Sequence, residues 1–289
     1  MHQKQRPKRV AAIHDLSSFG RCALAVIIPP LSALGIQVCP VPTTVLSTHT
    51  GGFSGIAAHP CPEFPRMAAR HWVECGVVLD CIYSGYLGDV GQARQVIDFA
   101  QSWPGAMRVV DPVLGDDGAL YQGISPDLVA EMRELCAHAD LITPNTTEAA
   151  FLLGREYDNR TVSPAVAEEM LDRLSCGRQT AVLITGLWVE GLGLCNAGLD
   201  RTGEGFAVVC DYLGGSYPGT GDIFTSVVTG ELLRGASLRA AAGAATVFTE
   251  NCIAATIGSG EPERDGVFLE AALPTLFTDE CHRDAVDLK

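Results

Sequence analysis

Short apolar runs rich in β-branched residues alternate along this chain with longer segments of helical periodicity, from one end to the other. That order predicts an α/β fold whose mostly parallel sheet is covered by helices on both faces. Residues 9–15, 38–46, 81–85, 108–113, 140–143 and 180–185 are expected as buried strands, and 192–197 with 205–212 as a hairpin. Helices are expected over 20–34, bent or ended near Pro29, and over 63–75, 126–138, 146–153, 164–175, 223–233 and 238–255. Asp89 is placed to cap one more, continuing to about 102. No repeat or low-complexity linker divides the chain. The expectation is therefore a single domain over 1–289, with a basic tail at 1–8 and a flexible tail after about 275.

In an open sheet of this kind a ligand lies outside the carboxyl ends of the strands. The polar residues concentrate there. Asp15 and Ser17 follow the first strand, residues 47–50 (with His49 and Thr50) the second, and Ser84 and Tyr86 the third; Asp111, then Asn145 and Glu148, then Thr185 follow later ones. A histidine in such a place is more often a hydrogen-bonded wall residue than a catalyst, which is the reading for His14 and His49.

The most informative stretch is residues 217–230, where the glycine-rich turn Gly219-Thr220-Gly221 opens straight into a helix with Asp222 at its mouth. Free amides at a helix start and the positive end of its dipole suit an anion such as phosphate. A carboxylate there would repel phosphate unless it has another task. One such task is to take the proton of a hydroxyl that attacks a phosphoryl group; the alternative is that Asp222 simply caps the helix.

The only lysines are Lys4, Lys8 and Lys289. A P-loop lysine and a protein-kinase lysine are excluded, so phosphate charge must be met by amides, arginine or a metal. The same absence argues against pyridoxal phosphate as a resident cofactor, which an internal lysine normally holds; any vitamin B6 connection would make it substrate or product. Asp111, Asp116 and Glu148 supply carboxylates near strand ends and Asn145 an amide, a hard oxygen set that suits magnesium. Read separately, Asp111 is equally a turn residue and Glu148 a first-turn helix acid.

A formal charge of −14 argues against nucleic acid or an anionic membrane as partner, and the apolar runs are too short or too interrupted to span a bilayer. The basic start lacks the apolar core of a signal peptide. Eleven cysteines, without C-x-x-C pairs, read as small buried hydrophobes in a reducing compartment and not as a zinc or disulfide framework.

Five segments in order, Ser47-Thr-His-Thr50-Gly, Ser84-Gly-Tyr-Leu-Gly88, Asp111-Pro-Val-Leu-Gly-Asp116, Thr143-Pro-Asn-Thr-Thr-Glu148 and Gly219-Thr-Gly-Asp222, resemble the vitamin B6 kinases of the ribokinase-like superfamily. The resemblance spans roughly residues 9–260. It implies a ribokinase-like three-layer sandwich that phosphorylates the 5′-hydroxymethyl group of pyridoxal, pyridoxine or pyridoxamine with ATP and Mg2+. A homodimer and a cytoplasmic location come with it, and whether a monovalent cation is also required is left open. It implies Asp222 as base and the amides of 219–222 as anion hole; Asp111 and Glu148 for magnesium; Asp116, Asn145, Glu148 and Thr185 for the nucleotide; and Asp15, Ser17, His49, Thr50 and Tyr86 for the vitamer.

There is one departure from the family pattern. Many members carry serine where this chain has Asp15, in Ile13-His14-Asp15-Leu16-Ser17. Asp15 is expected either to meet the pyridine ring's nitrogen or 3′-hydroxyl, or to cap a turn while Ser17 takes over the contact. Three rivals stand beside this reading. Hydroxymethylpyrimidine kinases often have cysteine where Asp222 stands. Sugar kinases usually show an early Gly-Gly pair and an inserted lid. A non-catalytic vitamer- or nucleotide-binding relative would bind without transfer. The glycine-containing stretches 117–123 and 213–218 are the candidate closing loops.

Overall fold

A computed structural model describes residues 6–278 and 282–288. Among them a ten-stranded sheet runs in the order β12-β11-β10-β9-β8-β5-β4-β1-β2-β3. Its centre is parallel: β1 (Arg9–Ser17) lies between β2 (Gln37–Leu46) and β4 (Cys81–Ser84), followed by β5 (Met107–Val110), β8 (Leu141–Ile142) and β9 (Ala181–Val189). Antiparallel strands finish both edges. On one side β3 (Ala58–Pro60) pairs with β2; on the other β10 (Gly193–Leu199), β11 (Gly205–Val209) and β12 (Val286–Asp287) continue from β9.

Strand alternation sorts the core into two layers. Ala11 and Ile13 of β1, Ile82 of β4 and Val182 and Ile184 of β9 point to one face. There they meet α2 (Phe64–Glu74), α3 (Val90–Gln101), α4 (Pro126–Ala137), α5 (Thr146–Leu153) and α6 (Pro164–Leu174). Val10, Ala12, Tyr83 and Leu183 point to the other, against α1 (Leu24–Ala33), α7 (Thr220–Arg234), α8 (Leu238–Thr256) and α9 (Leu269–Ala272). Both faces of the central strands are thus buried, which is why they read as near-continuous apolar runs. The expected α/β sandwich is what the chain forms.

Several elements depart from expectation. The first helix begins at Leu24, not at residue 20, because the β1–α1 loop is pinned across the molecule by the Arg21 N–H to the Asp265 carbonyl (3.1 Å). It then runs through Pro29 and Pro30 and simply forgoes the donors those rings lack. Short strands also form where none is expected: β3, and a separate hairpin of β6 (Gly115–Asp116) and β7 (Ala119–Leu120). The hairpin turn is Asp117-Gly118, with φ of 48° and 76° at the two positions, the left-handed pair a two-residue turn requires.

The flexible tail expected after about 275 is also corrected where the chain is described. Val286 pairs with Ala207, the Leu288 side chain is 1% exposed in the core, and Arg283 bonds the Val209 carbonyl and Glu250. Of the basic tail, positions 1–5 lie outside the described residues, while Arg6 and Lys8 both meet Asp80. No helix among the described residues is long and apolar enough to cross a membrane. Among the cysteines there, Cys81, Cys136, Cys195 and Cys252 are buried, whereas Cys75 and Cys176 are exposed.

Candidate active site

The carboxyl ends of the parallel strands open into a cavity of about 690 Å3. Asp15, His49, Thr50, Tyr86, Asp111, Asp116, Asn145, Glu148, Thr185 and residues 219–222 all line it. Both candidate closing loops reach it as well, through Asp117 and Tyr121 on one side and residues 216–218 on the other.

The glycine turn is built for a bare helix end. Gly219 takes φ of 83°, and a Cβ there would lie 2.2 Å from the Arg21 carbonyl oxygen, so only glycine fits between this turn and the β1–α1 loop. No side chain caps α7. Its first amides therefore face the cavity without a protein acceptor. Asp222 is not the cap. Its carboxylate, 8% exposed, reaches the β1–α1 loop, where the Ala23 N–H donates to Oδ2 at 2.8 Å and the Cys22 thiol lies 3.6 Å from the same oxygen. The unusual backbone of Ala23, with φ of 52°, is what turns that amide toward the acid.

Beneath Asp222 lies His14, fully buried, with Nδ1 3.8 Å from Asp222 Oδ1 and no hydrogen-bond partner for either ring nitrogen. Burial pushes its pKa down to about 3, so it stands as a neutral floor to the acid. Gly85 makes room for it, since a Cβ there would come within 2.0 Å of the ring.

A file of carboxyls runs along the cavity. Burial, as the leading cause, raises each of them: Asp15 to about 7, Asp222 to about 6, Glu148 to about 8, and Asp111 and Asp116 upward as well. Their mutual repulsion adds to it, Asp222 acting on Asp15, Glu148 and Asp222 on Asp111, and Asp116 on Glu148. Negative charge is therefore in excess. A divalent cation would fit. Among the described residues no three side chains of His, Cys, Asp or Glu are arranged to hold a metal by themselves. Magnesium, however, usually takes only one or two carboxylates and fills its shell with water and phosphate oxygens. Asp111, with Thr225 Oγ1 3.4 Å from its Oδ2, keeps oxygen free for that role.

Asn145 and Glu148 do structural work in the same place. Asn145 Oδ1 accepts the Glu148 N–H and Glu148 Oε2 accepts the Asn145 N–H, both at 2.8 Å, a reciprocal cap on α5. Glu148 Oε1 also accepts the Leu114 N–H, and Asn145 Nδ2 donates to the Gly115 carbonyl, so the pair ties the β6–β7 hairpin to the helix. Thr185, midway along β9, forms a parallel bridge with Asn145 just beyond β8.

Two expected vitamer contacts differ in kind. Ser17 does not line the cavity; it is buried behind Asp15 and donates its hydroxyl to Asp15 Oδ2 at 2.9 Å. Asp15 and Ser17 are two residues apart on β1, so strand alternation puts both side chains on one face, with Leu16 on the other. His49 lines the wall, yet both nitrogens are engaged, Nε2 2.6 Å from the Arg264 carbonyl and Nδ1 accepting the Gly51 N–H at 3.1 Å. It contributes its ring face and not a polar atom. The cavity also takes in residues that sequence reasoning gives no site role, among them Cys22, Tyr157, Arg160 and Trp188. Cys22 lies in the segment expected as the first helix; Arg160 sits in a polar loop with no local signal.

Known proteins resemble this chain in sequence and fold. Residues 28–265 match the family model for phosphomethylpyrimidine kinase. The pyridoxal kinase PdxY of Rubrobacter xylanophilus is 32% identical over 80% of this chain and 82% of its own. A Bacteroides thetaiotaomicron protein described as a phosphomethylpyrimidine kinase, crystallised with pyridoxal, superposes with a TM-score of 0.89 at 39% identity over 97% of this chain and 100% of that one. The pyridoxal kinase of Lactobacillus plantarum gives a TM-score of 0.85 at 33% identity, covering 93% of this chain and 96% of that one. With an acid at the mouth of an uncapped helix and these likenesses over nearly its whole length, the chain belongs to the pyridoxal kinases of the phosphomethylpyrimidine kinase family, within the ribokinase-like superfamily.

Proposed function

We propose that this chain transfers the terminal phosphoryl group of ATP to the 5′-hydroxymethyl group of a B6 vitamer. The observation that carries the reading is Asp222, nearly buried, held by the Ala23 amide and placed in the first turn of a helix whose amides are free. In this reading Asp222 accepts the hydroxyl proton, and the amides of residues 219–222 stabilise the charge on the phosphoryl group in flight. The vitamer ring lies between Tyr86, Thr50 and the face of His49, with Asp15 at its polar edge. Asp116, Asn145 and Thr185 border the nucleotide. Asp111, backed by Glu148, would hold the magnesium, which supplies neutralisation of phosphate charge when bound. A homodimer and a cytoplasmic location belong to the same reading and are supported by the family resemblance alone.

Asp15 deepens the reading. A cationic pyridine nitrogen would favour its ionised form, and a 3′-hydroxyl would donate to it; Ser17 holds the carboxyl in place for either. Asp15→Ser and Asp15→Asn should therefore reorder activity among pyridoxal, pyridoxine and pyridoxamine, and an unchanged ranking sinks this role.

The family model's own description favours one second reading, kinase action on hydroxymethylpyrimidine. The deciding experiment is ATP consumption with Mg2+ in the presence of each vitamer and of hydroxymethylpyrimidine, with mass spectrometry of the product. A phosphorylated pyridine supports the proposal. Phosphorylation of the pyrimidine alone moves the chain to thiamin salvage, and binding without any transfer makes it a non-catalytic relative.

A further inference from the structure

Acidic side chains dominate the cavity, and a nucleotide brings several more negative charges. Among the described lining residues Arg160 is the one lysine or arginine. It lies in the irregular connection between α5 and α6, which is anchored next to the site. The Val162 N–H donates to the Trp188 carbonyl at 2.9 Å, and the Glu190 N–H to the Val162 carbonyl at 2.8 Å. Tyr157, three residues before Arg160, packs on the β6–β7 turn, where a Cβ at Gly118 would come within 2.6 Å of its ring. Arg160 is thereby fixed at the end of the cavity that holds Asp116, Asn145 and Thr185, away from Asp15 and Tyr86.

Its guanidinium is folded back on its own neighbour. Nε lies 2.9 Å from Asp158 Oδ1 and Nη2 2.5 Å from Oδ2, while the Arg160 side chain remains 84% exposed. An ion pair so wet is held weakly and exchanges readily. The geometry is a planar fork on two acceptor oxygens, which a phosphate reproduces with more charge.

We propose that Arg160 is a nucleotide-phosphate ligand of this enzyme, and that Asp158 is the placeholder its guanidinium leaves when the phosphates arrive. The inference rests on the kinase reading for its context, but not on which ring is phosphorylated. The plain alternative is a local staple that keeps the loop in shape.

Calorimetric titration of the full chain with MgADP and, separately, with adenosine tells the two apart. Arg160→Gln should weaken MgADP about five- to tenfold and leave adenosine unchanged, with Arg160→Lys in between. Asp158→Asn should tighten MgADP roughly two- to threefold by removing the competitor. MgADP affinity within twofold of wild type in Arg160→Gln, or a parallel loss of adenosine affinity, overturns the proposal. Wild-type protein that binds no MgADP overturns this inference and the kinase reading together. Arginine-dependent MgADP binding without phosphorylation of any vitamer would leave this inference standing and remove only the substrate.

Discussion

Replacing Asp222 by asparagine tests the proton-acceptor role while sparing the surroundings. The amide keeps an oxygen for the Ala23 N–H that now holds Oδ2 at 2.8 Å, and it fills the same volume above His14. What it loses is basicity. Positioned acid–base groups contribute roughly 10²- to 10⁴-fold, so kcat should fall by about that factor while MgADP affinity stays within about threefold. The wild-type pH profile supplies a second, independent reading. Burial raises the Asp222 carboxyl to about 6, against which the Ala23 amide pulls down. A base with that pKa is roughly one-tenth ionised at pH 5 and nine-tenths at pH 7, so kcat/KM should rise about ninefold over those two units. Asp15, raised to about 7, adds a second titration that Asp15→Asn should remove. The assay is initial-rate phosphorylation of pyridoxal in a constant-ionic-strength buffer series. An Asp222→Asn variant that keeps a tenth or more of wild-type kcat, or that still shows the limb near pH 6, refutes the assignment.

Further perturbations give distinct signatures. Gly219→Ala must place a Cβ against the Arg21 carbonyl in a left-handed backbone, so we expect a Tm lower by roughly 3–6 °C and a kcat loss above tenfold; unchanged kcat would contradict the anion-hole geometry. Asp111→Asn should raise the magnesium concentration for half-maximal rate about tenfold, and an unaltered requirement would remove Asp111 from that role. Folded-state pKa values above the unfolded ones at Asp15, Asp111, Glu148 and Asp222 mean that the folded chain binds more protons. Their contribution to stability is full below about pH 4 and is lost as pH rises through about 6 to 8. Thermal melting of the metal-free protein should therefore show this loss on the alkaline side, and magnesium with ADP should offset it. A Tm that rises steadily through that window would contradict the buried-acid account.

How much of this was legible beforehand varies with the kind of information each position carries. Strand and helix order follows from local periodicity, and the Gly219-to-Asp222 turn announces itself because glycine, helix start and acid are adjacent in the chain. Asp117-Gly118 carries a local signal as well, the residue pair of a tight hairpin turn, inside the stretch 117–123 expected as a closing loop. The Asn145-x-x-Glu148 spacing is that of a capping box, so Glu148 serves the helix as well as the site. Other facts were not local at all. That Asp15 and Ser17 share a strand face follows from their spacing, but that Ser17 donates its hydroxyl to Asp15 and is shut off from the cavity depends on the packing around the end of β1. Arg160 reaches the cavity through the anchoring of its loop on Trp188 and Glu190, contacts that exist only once β9 is in place. The late start of α1 likewise reflects chain pinned by a distant segment.

The distribution of lysine has a consequence for an enzyme handling an aldehyde. Pyridoxal and its phosphate condense with primary amines, and a side-chain amine within reach would capture the product covalently and slow its departure. Among the described residues lining the cavity there is none. Lys8 precedes β1 at its opposite end, tied to Asp80, and seven extended residues, on the order of 23 Å, separate it from Asp15. A reactive carbonyl can thus enter and leave a site whose walls offer it acids, amides and hydroxyls but no amine nucleophile.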